Sequence, residues 1–328
     1  MAADAYEGAA ANAPLLGPLA ALARQKKTWS PQLLAGVMWR GLTNLGSHRQ
    51  VVRLLKLPAL AETARNTPRF AFKYLTHDYL VRGLSTAERA ACFMHHYRRM
   101  HAALPDSLLR QILLREVVLH AIEANDHRFV LTLGLSRDFD KEGETSLTLS
   151  VDGTGVFLMS FSFVPGKIVG SQAAEVLLIS RVQGMKGVYQ QVQLATKTLH
   201  DVAPDALLFA ALQGIALAFG IGEIAAVTAA RQSSFTNDSS VEFCQAYDRF
   251  FLGLEIPQTP ESIFLTPIPI EGKPMAQIKK GHKIRTKQKR AFKQSVQSAC
   301  AEFFAKHMGV SAPQPQVGEL ANAASGPA

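Results

Sequence analysis

The 328-residue chain has only three cysteines, Cys92, Cys244 and Cys300. They are far apart, odd in number and form no Cys-x-x-Cys pair. That excludes a disulfide framework and fits a reducing cytosol. No apolar run reaches membrane-spanning length. The longest, "ALLFAALQGIALAFGIG" at 206–222, has 17 residues between Asp205 and Glu223, whereas a span needs about 20. It reads as a buried helix. The N-terminal "MAADAYEGAAANAPLLGPLAAL" has an acid, and no cation, ahead of its apolar part, so no secretory leader is expected. The patterns GxxxxGK[ST], GxSxG and HExxH are all missing, which removes the phosphate-loop, nucleophile-elbow and zinc-protease classes. "GIGEIA" from Gly220 fits G-x-G-x-x-A, but a helix precedes it and a strand follows, the reverse of a dinucleotide site. Gly220 is read as a helix C-cap.

Acid is also missing from residues 279–293, "KKGHKIRTKQKRAFK". This window holds Lys279, Lys280, Lys283, Arg285, Lys287, Lys289, Arg290 and Lys293, eight of the net nine positive charges of the chain. The rest is nearly neutral, with the ordinary composition of a globular protein (48% hydrophobic, 19% charged). The segment therefore points to an anionic partner, a membrane surface or a nucleic acid. With one aromatic, Phe292, it makes a poor stacking platform for single strands.

What is present falls into an ordered series. Residues 1–29 are expected to be poorly ordered, and 30–125 to form a helical region. Within it "SPQLLAGVMWRGL" opens on Ser30 and Pro31, "HRQVVRLLKL" stops at Pro58, "STAERAACFMHHYRRM" carries a Ser85–Glu88 capping box, and a further helix is predicted over about 105–124. A mixed α/β sheet domain is expected over 126–275. Strands with one apolar face are predicted at 129–135, 145–151 and 156–163, with an Asp152-Gly153 hairpin turn. The stretch 175–182 is apolar on both faces and reads as a central strand. A helix from Pro204 and a strand at 223–229 complete a right-handed β–α–β crossover. A helix near 241–252 and a strand near 262–270 follow. A basic C-terminal helix is expected within 276–308, and 309–328, rich in Ala, Pro, Gly and Ser, as a disordered tail. The fold class is α+β.

Candidate chemistry is sparse. His95, His96 and His101 share a helix without an i, i+4 pair, so no metal site is expected. Glu142 and Glu144 precede a strand; loop acids are ordinarily solvated, and Glu144 is the candidate general base. "RVQGMKG" places Arg181, Gln183, Gly184, Lys186 and Gly187 after the central strand, where converging amides and cations suit a phosphate. This turn resembles the pyrophosphate-binding turn of the GNAT acetyltransferases. That resemblance implies a GNAT-like sheet, a coenzyme A thioester as cofactor, and Tyr247, in "YDRFFLGLE", as the acid that protonates the departing thiolate.

Taken together, "ERAACFMHHYRRM", "EGETSLTL", "FSF", "RVQG", "TKTLHDVAPDALLFAAL", "YDRFFLGL" and "KQKRAFKQ" resemble, in order and spacing, the bacterial VirK/YbjX family across about residues 30–306. The resemblance implies a Gram-negative origin and an association with virulence, envelope integrity and stress, DNA damage included. It implies no catalytic residues. A cytoplasmic protein, able to sit peripherally at the inner membrane, is the corresponding expectation.

Overall fold

A computed structural model describes residues 31–311 except 78, 137–140, 234, 236–247 and 271. Helices α1 (Pro31–Thr43), α2 (Leu45–Leu54) and α3 (Pro58–Asn66) come first. Two short 3₁₀ segments, Pro68–Ala71 and Lys73–Leu75, lead towards α4 (Thr86–Ala103) and α5 (Asp106–Leu114). The predicted capping box closes the start of α4. Ser85 Oγ accepts from the Glu88 amide, and the Glu88 carboxylate accepts from the Ser85 amide.

Five strands then run antiparallel in sequence order: β1 (Glu116–Ala124), β2 (His127–Leu135), β3 (Thr145–Val151), β4 (Thr154–Pro165) and β5 (Glu175–Gly184). Asp152 and Gly153, at φ +50° and +80°, make the β3–β4 turn. Two helices, α6 (Tyr189–Thr198) and α7 (Pro204–Ala218), carry the chain to β6 (Glu223–Val227), which pairs parallel to β5. β7 (Ile263–Pro267) closes the sheet antiparallel to β6. The long helix α8 (Lys283–Met308) packs against α7. Helices plus a seven-stranded mixed sheet make the fold α+β, as expected.

Burial follows the sequence pattern in β3 and β5; β4, expected to bury only one face, departs from it because the helices and the sheet cover both. β3 buries alternate residues, while β4 is buried on both faces from Leu158 to Val164 and β5 from Val176 to Ser180. The apolar 204–218 helix lies inside the molecule, and Gly220 at φ +72° ends it in a Schellman motif. The Gly220 amide donates to Leu217 O and the Ile221 amide to Ala216 O. Among the described residues no helix is long and apolar enough to cross a membrane.

Two further expectations need correction. The helix predicted over 105–124 stops at Leu114, and Glu116–Ala124 is edge strand β1. Only Val117 and Leu119 of this strand are buried, so its pattern suits either period, and pairing with β2 decides. The second concerns the turn after β5, where a helix was expected only from 204. Instead α6 begins at Tyr189.

Candidate functional site

The loop Glu142-Gly143-Glu144 is where the molecule concentrates charge in its interior. Gly143 sits at φ +134°, and a Cβ there would come within 2.8 Å of Ser160 Cβ. Only glycine lets the loop lie this close on β4. Glu144 is fully buried: its amide donates to Phe161 O and Ser162 Oγ, and its carboxylate meets Lys73 Nζ at 2.5 Å, with Lys73 only 2% exposed. The hydroxyls of Tyr79 and Tyr97 also donate to that carboxylate. Burial, then the charge of Glu144, pushes both phenols well above their ordinary range, so they remain donors. Lys73 Nζ lies 5.4 Å from the ring centroid of Phe70 and 6.0 Å from that of Tyr97.

Two residues earlier, Glu142 pairs with the Arg181 guanidinium and accepts from Ser233 Oγ at 3.1 Å. Both acids were expected to be solvated. Each is instead buried against a cation from a distant part of the chain, because a buried carboxylate needs a counter-charge. Sealed from solvent and fully partnered, Glu144 is a structural anchor here, tying the helical region to the sheet. Sequence reasoning missed Lys73, Tyr79 and Tyr97. The available signal was a lone lysine inside the aromatic run "RFAFKYL".

The five residues of the expected phosphate turn do not converge. Arg181 donates to Glu142 and to Gln183 Oε1. Gln183 and Gly184 stay in the β4–β5 ladder opposite Leu158 and Phe157, and a Cβ at Gly184 would touch the Phe157 ring. Lys186 and Gly187 are exposed in the turn, Gly187 at φ +79°. Tyr247 lies outside the described residues. The GNAT-like detail is therefore not carried by these contacts.

The histidines of α4 separate. His96 is buried and accepts from the Phe163 amide at Nδ1, 3.1 Å away, which puts its proton on Nε2. Burial, then Lys73 and His95, holds its pKa well below 6.5. His95 and Arg99 both reach the Glu175 carboxylate at 3.0 Å. Among the described residues no cluster of His, Cys, Asp and Glu is arranged to hold a metal ion. Cys92 and Cys300 are free and buried; burial pushes the Cys300 thiol up to about 12, which keeps it unreactive.

The basic segment lies on the surface. Lys279, Lys280, Lys283, Arg285 and Lys287 are exposed; Lys289, Arg290 and Lys293 are half-buried where α8 meets the body. Arg285 pairs with Asp201 at 2.8 Å. Arg290 donates to Lys273 O, and its guanidinium would come within 2.9 Å of a Cβ on Gly272. Burial, then Arg290 and Lys289, lowers the pKa of Lys293.

The family model described as "Protein of unknown function (DUF535)" matches residues 36–301. The chain belongs to this family, which is the VirK/YbjX family. Comparison with curated proteins and with solved structures returns no match.

Proposed function

We propose that this is a bacterial protein of envelope and stress physiology, of the virulence-associated type, that engages an anionic partner through residues 279–293. One observation carries the reading. Lys283, Arg285 and Lys287 crowd the first turns of α8, where the helix dipole disfavours cations, and the first turn holds no acid. Among the described residues Arg285 is the one cation of the eight with an acid partner. A bound polyanion, either a membrane surface or a nucleic acid, relieves this repulsion. The test is a salt series of binding to duplex DNA and to anionic vesicles. Counterion release predicts a steep loss with salt, and replacing Lys279, Lys280, Lys283 and Lys287 by Gln should lower the log–log slope for DNA by roughly three to four. Binding that ignores salt, or a slope the variant leaves unchanged, would sink the proposal.

A second reading, an acyltransferase using an acyl-coenzyme A, is favoured by one feature. The parallel pairing of β5 and β6 covers only Leu177–Ile179 against Ile224–Ala226, yet β5 runs on to Gly184 and a turn enters α6. A GNAT-like arrangement would lay an extended ligand beside the part of β5 that runs beyond this pairing. Arg181 would have to exchange Glu142 for the ligand's pyrophosphate, assisted by Lys186, Gln183 and the amides of Gly184 and Gly187. Tyr247 would then serve as the acid. A coenzyme A-dependent rise in melting temperature, lost in Arg181→Ala/Lys186→Ala, is its signature.

A further inference from the structure

The opposite end of the chain presents a different surface. Asn44, at φ −123° and ψ +40°, is the non-helical joint between α1 and α2; its amide donates to Arg40 O, and the His48 amide donates to Asn44 O. Met38, Trp39 and Leu42, on one face of α1, are 58%, 68% and 62% exposed, and Leu45, the first residue of α2, is 46% exposed. The opposite side buries Val37. Four large apolar side chains side by side on a surface are uncommon unless something covers them. Arg49 and Arg53, one turn apart on α2, are both exposed, followed by exposed Lys56. The sequence from 8 to 61 has no Asp or Glu, and its cations are Arg24, Lys26, Lys27, Arg40, Arg49, Arg53 and Lys56.

We propose that the Met38–Trp39–Leu42–Leu45 face is an interfacial anchor that lies in an anionic bilayer surface, with Arg49, Arg53 and Lys56 at the headgroups. A helix with an apolar Trp- and Leu-bearing stripe and flanking cations partitions into the headgroup boundary with its axis in the membrane plane. The indole of Trp39, apolar with a single N–H, suits that depth. The total lack of acid over this stretch selects an anionic surface over a neutral one, because each cation adds to attraction by acidic lipid. The inference stands apart from the basic segment at 279–293 and uses none of its residues.

Trp29 and Trp39 are the two tryptophans of the chain. In the full-length Trp29→Phe protein, Trp39 emission reports the anchor alone. Vesicles of phosphatidylglycerol and phosphatidylcholine should shift it to shorter wavelength, and lipids brominated on the acyl chain should quench it. Pure phosphatidylcholine should do neither, and Leu42→Glu should abolish both effects. In the four-glutamine variant of residues 279–287 the shift at saturating lipid should persist, so failure of the basic-segment reading leaves this result intact. Vesicle binding with Trp39 emission unmoved overturns the anchor. A Trp39 emission that is already short-wavelength in the free protein and moves red on removing residues 1–29 assigns the stripe to cover by that segment. A dimer in sedimentation that Leu42→Glu dissociates assigns it to a second copy. Either of these outcomes also overturns the proposal.

Discussion

Lys73 and Glu144 are opposite charges held almost without solvent, and their energetics are those of a pair. Removing one partner leaves the other as an uncompensated buried ion. Lys73→Met or Glu144→Gln alone should therefore cost about 3–5 kcal/mol in urea unfolding. The double variant Lys73→Met/Glu144→Gln should recover part of that loss, and strictly additive costs would show that the two do not act together. His96 supplies the pH dependence. Its folded pKa lies well below the 6.5 of the unfolded chain. The unfolded state thus takes up the proton first as pH falls, and stability present above about pH 6.5 declines below it. One such histidine contributes about 1.4 kcal/mol per pH unit. Unfolding free energies between pH 7.5 and 5 should show this decline. His96→Asn, which keeps an acceptor for the Phe163 amide, should flatten it; an unchanged slope would assign the effect to His48 and His120, whose pKa values burial also lowers.

At the scale of elements, the contact between α7 and α8 sets the geometry of the C-terminal half. Gly214 allows it, since a Cβ there would overlap Gln297 O and approach Ala301 N to 3.2 Å. Val296, Cys300, Ala301, Phe304 and Ala305 of α8 are buried in the same half of the helix. In an exposed helix Gly→Ala adds about 1 kcal/mol of stability. Here Gly214→Ala should destabilise by about 1–3 kcal/mol, because the helices must separate; a stabilised variant would refute the close approach. Elements with one strong period were legible from the chain: β2, β3 and β4 by alternation, α4 by its capping box, and α7 by its Gly220 stop. β1 was not. Its apolar residues Val117, Val118, Leu119, Ala121, Ile122 and Ala124 suit either period, and only the pairing with β2 across the Asn125–Asp126 turn decides.

For the whole molecule, the net charge of +9 is a local property of α8 and the residues before it. Lys279, Lys280, Lys283 and Lys287 are exposed at the start of the helix and just before it, and take no part in the core, which runs from Val37 to Phe304 as a single connected cluster. The four-glutamine variant should therefore leave the urea midpoint unchanged or slightly raised, since surface changes away from caps and ion pairs stay within about 0.5 kcal/mol each and like-charge repulsion falls. A large loss of stability would mean that the segment serves the fold instead of a partner. The candidate site was less legible than the fold. Glu142 and Glu144 stood out as acids before a strand, and Arg181 as a cation after one, but nothing local shows that Arg181 lies on Glu142, 39 positions away.

The sequence alone determined the class, the order of most elements, the family and the place where positive charge accumulates. These depend on periodicity, caps and composition, which act over a few residues. The tertiary structure alone decided that Lys73, Tyr79 and Tyr97 surround Glu144, that Arg181 is neutralised by Glu142, and that Met38, Trp39 and Leu42 on α1 are exposed. Pairing across dozens of residues is chosen by whichever counter-charge or surface the completed fold brings near, and a one-dimensional pattern does not encode that proximity.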